Sequence, residues 1–108
     1  MTYPEFWHRY LRAHARSLTR SLHYFGTTLA LGCLAAAAIL RDWHFLPAAP
    51  LLGYGFAWTA HLLVERNRPE TFGHPVWSLA SDLRMLALAA SGHLGPHLTA
   101  AGLPPGRE

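Results

Sequence analysis

The chain has no lysine: its nine basic side chains other than histidine are all arginine. Four of these, Arg9, Arg12, Arg16 and Arg20, precede the first long apolar block. That placement suits membrane topology signalling. It does not suit a nucleic-acid patch, because the aromatics sit in apolar segments instead of interleaving with the arginines. A second cysteine is also missing. Cys33 stands alone inside the first apolar block, which excludes an intramolecular disulfide and marks it as a small packing residue. There is no internal repeat. Most informative is where charge is missing. No Asp, Glu, Lys or Arg occurs from Leu22 to Leu40, nor from Trp43 to Val64, and only Arg41 and Asp42 separate the two stretches.

Each uncharged stretch reaches the ~20 residues that a helix needs to cross ~30 Å of hydrocarbon. A soluble domain of 108 residues would struggle to bury two helices that are apolar on every side. The arginine-rich start followed by Gly26 to Leu40 imitates a secretory signal peptide. Its start is too long for one, no small-x-small cleavage site precedes charged sequence, and a second apolar block follows at once. The expected fold is therefore all-α: an integral membrane hairpin of two transmembrane helices flanked by amphipathic, interfacial helices.

Along the chain, Pro4 to about Leu18 reads as an amphipathic helix, with Phe6, Trp7, Tyr10, Leu11 and Leu18 alternating with Arg9, Arg12 and Arg16. The spans are expected at about 21–40 and 50–65, joined by a tight connection with Trp43, Pro47 and Pro50. Asn67-Arg68-Pro69 ends the second span. Thr71 to Pro75 reads as a loop, and Val76 to about Ser91 as a helix in which Asp82 and Arg84 argue against a third span. Residues 1–92 form one membrane domain in this reading, and 93–108 a flexible tail rich in Gly and Pro. Arginine clusters before the first span and after the second, so both termini face the cytoplasm, as expected for a multi-pass protein of a bacterial-type inner membrane.

Ionisable groups at membrane depth need a reason. His61 and Glu65 lie four apart, and Tyr54 and Trp58 extend the same stripe. The first span carries His23, Gly26, Ala30, Cys33 and Ala37 at the same spacing, and after His23 every member is small. An antiparallel hairpin docks the bulky stripe on the small one. From His23 to the turn is about 18 residues, or ~27 Å, and from the turn to Glu65 about 17, or ~26 Å. His23, His61 and Glu65 then converge at the cytoplasmic end. Two imidazoles and a carboxylate with open positions suit non-haem Fe(II), and zinc is compatible. His14 joins only if the chain bends near Ser17 to Thr19, and Gly73 and Pro75 can aim His74 back under the bundle. The plainer readings are interfacial histidines (His8, His44, His93 and His97 above all), Glu65 paired with Arg68 or Arg20, and Tyr54 and Trp58 as packing. The second His of a His-Glu-x-x-His protease motif is absent.

The stretch Gly53-Tyr54-Gly55-Phe56-Ala57-Trp58-Thr59-Ala60-His61-Leu62-Leu63-Val64-Glu65-Arg66-Asn67-Arg68-Pro69-Glu70 resembles the signature of the Mpo-like family, and Leu22-His23-Tyr24-Phe25-Gly26-Thr27 resembles its earlier His…Gly motif. The resemblance runs from about Tyr10 to Leu88, with Trp77-Ser78-Leu79 and Asp82 similar to a further short motif. Thr19 stands where members often carry Asn. The resemblance implies a small membrane dioxygenase that uses Fe(2+), family histidines and O2 in the alpha-oxidation of 2-hydroxy fatty acids. By resemblance His23 and His61 are iron ligands, His14 matches an upstream histidine and Glu65 an acidic position.

The leading expectation is thus an Fe(II)-dependent dioxygenase that cleaves the C1–C2 bond of a lipid, a 2-hydroxy fatty acid, to give a shortened acid. Its expected metal ligands are His23, His61, His14 and His74, with Glu65 and Arg68 catalytic. Arg20, Arg66 or Arg68 would hold the carboxylate, and the acyl tail would lie along Tyr54 and Trp58 or in the bilayer. Two other classes stay open: a non-catalytic membrane assembly protein with no metal, and a zinc-dependent lipid hydrolase on the same ligands. A homodimer is compatible with the spare lipid-facing side.

Overall fold

A computed structural model describes residues 1–103, and these are helical throughout, with no strand among them. Helix α1 (Tyr3–Arg12) starts at a capping box in which Thr2 and Glu5 each accept from the other's backbone N–H, with proline in its first turn. Phe6, Trp7, Tyr10 and Leu11 fall on one face, which is buried. That face packs inside the protein, against Met85, Leu94 and Leu98 of the later helices, and this protein contact takes the place of the headgroup contact that its amphipathicity suggested.

The chain then breaks. Helix α2 (Ser17–Leu40) begins after a bend at residues 13–16, so the expected single helix to Leu18 stops at Arg12. No glycine or proline forces this. The Arg20 guanidinium donates to the carbonyls of His14 and Ala15, at 2.8 Å each, and Glu65 Oε1 accepts from the Arg16 backbone N–H and, at 2.9 Å, from Thr19 Oγ1. Glu65 thereby supplies the cap that α2 lacks from its own side chains, at the positive end of the helix dipole.

Helix α3 (Phe45–Thr59) runs back along α2 and continues into a π-helical turn, Ala60–Glu65. Gly26 lies against Phe56, Ala30 against Gly53 and His23 against His61, an antiparallel register. A Cβ on Gly26 would meet Phe56 Cβ at 2.7 Å, so only glycine allows this approach. The small stripe of α2 is the inward face, as the spacing predicted. The docked face of α3 is not the expected one: Gly53 and Phe56 meet α2, while Tyr54 and Trp58 point aside, Trp58 toward Phe72 at 5.3 Å between ring centroids. Among the described residues α2 is the one helix long and apolar enough to cross a membrane. The 15 residues of α3 span about 22 Å, short of the ~30 Å of a bilayer core, so of the two expected transmembrane helices only the first has the length and composition to cross.

After a short 3-10 turn (Glu70–Phe72), α4 (Pro75–Ala90) packs on α1 and α2. Residues Leu94–Ala100, expected in a loose tail, form a further helix, α5, whose Leu94 and Leu98 are buried in the core. Pro96 is tolerated because it sits in the first turn, where its missing N–H has no helical partner to lose. Residues 104–108 of the expected tail lie outside the described part.

Candidate metal centre

The bend between α1 and α2 brings His14 against two histidines of the hairpin. His14 Nε2 lies 3.0 Å from His23 Nε2, which lies 3.2 Å from His61 Nε2. All three side chains are buried, at 0%, 4% and 2% exposure. Two of the rings, those of His14 and His61, are held from behind through the other nitrogen. His14 Nδ1 is 2.6 Å from the carbonyl oxygen of Tyr10. His61 Nδ1 is 2.7 Å from Asn67 Oδ1, and the orientation of that amide is fixed because Asn67 Nδ2 donates to the Ala13 carbonyl at 3.0 Å. His23 Nδ1 faces Asp82 Oδ1 at 3.5 Å and has no hydrogen-bond partner. Asp82 in turn accepts from the Tyr10 hydroxyl. Burial, reinforced by the Asp82 carboxylate, holds the Tyr10 phenol well above its ordinary range, so it stays a donor.

These contacts decide the tautomers. A carbonyl oxygen can only accept, so His14 carries its proton on Nδ1, and the same holds for His61 against Asn67. Burial, with His23 and His61 alongside, keeps His14 well below the ordinary histidine range, so it is neutral. Both Nε2 atoms are then bare lone pairs aimed at His23 Nε2. One proton on His23 can satisfy one of them at most, which leaves lone pair facing lone pair in a buried pocket. A cation removes that conflict. Two nitrogens bound to one ion at ~2.0–2.1 Å sit roughly 3 Å apart, in line with the observed separations. The donor set therefore fits a metal ion, with His14, His23 and His61 as ligands and Tyr10, Asn67 and Asp82 orienting them.

The structure brings three of the expected ligands together and leaves the other expected site residues apart from them. The donors are three imidazoles, with no carboxylate among them. Glu65 is engaged elsewhere: its carboxylate accepts from the Arg16 backbone N–H and from Thr19 Oγ1 at the α2 N-terminus. His74 precedes α4, stacked on Trp77 and edge-on to Phe6, apart from the three. Arg20 is committed to the bend, and Arg68 is exposed with its guanidinium over the Phe72 ring at 5.3 Å. Tyr54 and Trp58 stack on each other at 5.5 Å. Three residues of the centre were not anticipated as such. The sequence presents Asn67 as a helix stop within the family signature and Tyr10 as an interfacial aromatic. Asp82, a lone carboxylate in an apolar helix, carries a usable signal beyond its place in the short family motif and its weight against a third span.

No curated protein and no solved structure matches the chain. A family model described as 2-hydroxy-palmitic acid dioxygenase Mpo1-like matches residues 1–94, a stretch that holds the three histidines with Tyr10, Asn67 and Asp82, and the chain belongs to that family.

Proposed function

We propose that this protein is a membrane-bound dioxygenase that converts a 2-hydroxy fatty acid into the acid one carbon shorter, with iron(II) held by His14, His23 and His61. The observation that carries the reading is the convergence of bare Nε2 atoms in a buried pocket, together with the activity for which the family is named. Iron(II) bound there supplies redox chemistry toward O2 and open positions for the reactants. The balance needs no outside reductant: hydroxy acid and O2 give the shortened acid, carbon dioxide and water.

The chain's own groups do the rest. Tyr10, Asn67 and Ala13 fix two imidazoles as neutral donors, so the site needs no proton loss before a cation enters. The Asp82 carboxylate stands 3.5 Å behind His23 Nδ1, on the side of the ring away from the other two imidazoles, where it can orient that ring. Phe6, Trp7, Tyr10 and Leu11 close the pocket from the α1 side and exclude water. Six arginines (9, 12, 16, 20, 66 and 68) gather at this end of the hairpin, against Arg41 at the other. This supports a two-crossing topology with the histidine end and both termini cytoplasmic.

The test is anaerobic reconstitution of detergent-purified protein with Fe(II), followed by 2-hydroxy-palmitic acid and O2, with products read by mass spectrometry. The fifteen-carbon acid should form in the wild type and not in His61→Ala. Stoichiometric zinc with hydrolysis of an ester, and no oxygen uptake, would replace this reading by the hydrolase.

A further inference from the structure

Helices α2, α3 and α4 enclose a groove of about 340 Å³ alongside the histidines. Its small residues are Thr27 and Ala30 of α2 and Ala49 and Gly53 of α3. Its large ones are Tyr54 and four exposed leucines, Leu31 and Leu34 on one side and Leu79 and Leu83 on the other. The one charged side chain that lines it is Asp82, whose carboxylate lies 3.5 Å from His23 Nδ1. Thr27 is one turn beyond His23 on α2, and Leu34 lies seven residues further, so the groove runs roughly 10 Å along the hairpin from the histidine end toward the turn.

Such a shape is polar at one end, apolar along its length and contiguous with the metal centre through a single side chain. Its volume falls at the lower end of the range for small-molecule sites. A partner helix does not fit inside: with a diameter of about 10 Å, a comparable length would fill roughly 800 Å³. A hydrocarbon chain fits, and it asks nothing of walls that offer almost no polar partners.

We infer that this groove binds the acyl chain of a free 2-hydroxy fatty acid, with the hydroxyl-bearing head at the histidine end and the tail toward Ala49 and Leu34, so that Ala30, Gly53 and Leu79 set the chain length accepted. The inference rests on the proposed reaction for the identity of the head, while the groove's occupancy is separately measurable. It also divides the earlier pair of aromatics: Tyr54 lines the groove, and Trp58 does not.

The experiment has two arms. In the first, a 2-hydroxy-palmitic acid bearing a diazirine at its eighth carbon is photolysed on the metal-free, detergent-purified chain, and labelled residues are mapped. Labelling near Leu34 and Ala49, competed by unlabelled 2-hydroxy-palmitic acid and not by a sixteen-carbon phospholipid, is expected. Labelling elsewhere, or equal competition by the phospholipid, overturns the assignment. The second arm uses Leu79→Trp, at an exposed rim where folding is not at risk, and Gly53→Val, whose Cβ meets only Ala30 at an ordinary 3.5 Å. Both should lower kcat/KM for the sixteen-carbon acid about tenfold and shift the preferred chain length toward shorter acids. An equal fall at every chain length, with iron content retained, contradicts the groove. Groove labelling in a protein without turnover supports the acyl site and removes only the proposed reaction.

Discussion

The two ends of the α2–α3 hairpin are held together differently. Toward the turn, Ile39, Leu40, Trp43 and Leu51 face outward, and the helices approach through Ala37 and Ala49. Among the described residues, no side-chain hydrogen bond joins α2 to α3 above the histidines. At the other end, His14, Thr19, Arg20, His23 and His61 are all buried, and all but one of their ring and guanidinium contacts have a named partner. Close packing and an apolar surround hold the first end, and directional polar contacts hold the second. The lesson is that shape and chemistry are separable here: a change at the seam should cost stability and spare the metal, and a change beneath it should do the reverse.

The largest expected effect tests the seam. Gly26→Leu puts a side chain where a Cβ already meets Phe56 at 2.7 Å, and should cost about 1–3 kcal/mol in thermal unfolding in detergent. Metal affinity per folded molecule should hold. Asn67→Ala is its converse. It frees His61 Nδ1 from its acceptor and should weaken metal binding at least about tenfold, roughly 1.4 kcal/mol, by titration calorimetry. If it instead melts the hairpin with the affinity unchanged, the two ends are not separable.

The third prediction concerns pH. His14 is neutral in the folded protein, with its pKa depressed by burial, while in the unfolded chain it titrates near ~6.5. Below that value the unfolded state takes up a proton that the folded state refuses. Stability of the metal-free protein is therefore complete above pH ~6.5 and falls by up to about 1.4 kcal/mol per pH unit below it, until the folded-state pKa is reached. Chemical denaturation at a series of pH values reads the slope, and His14→Phe should flatten it. The smallest effect is at Arg68, exposed over Phe72. Arg68→Ala should change stability by no more than about 0.5 kcal/mol and leave turnover intact. A large loss of turnover would return Arg68 to the site.

Much of this architecture is written in local patterns. The uncharged stretches mark the hairpin, and the stripe from His23 through Gly26 to Ala37 marks its inward face, because small residues at helical spacing permit close approach. The meeting of His23 and His61 follows from counting residues to the turn. What escaped is made by contacts distant in sequence. Ala13-His14-Ala15-Arg16 has no breaker, and it bends because Arg20 and Glu65 hold its backbone. Glu65 caps α2 across the hairpin, and no residue in Ala60-His61-Leu62-Leu63-Val64-Glu65 announces the π turn that carries it. Leu94 and Leu98 sit in a stretch whose Gly and Pro content resembles a linker, yet they cover Trp7 and Met85.

The central claim is that three histidines, one of them delivered by the bend, hold a metal ion. The measurement that tests it most directly is the metal content of anaerobically prepared protein beside His14→Ala, with helicity checked by circular dichroism. The account predicts about one iron per chain in the wild type and almost none in a variant of unchanged helicity. Full iron retention in His14→Ala, or a wild type that takes up no Fe(II), would contradict it.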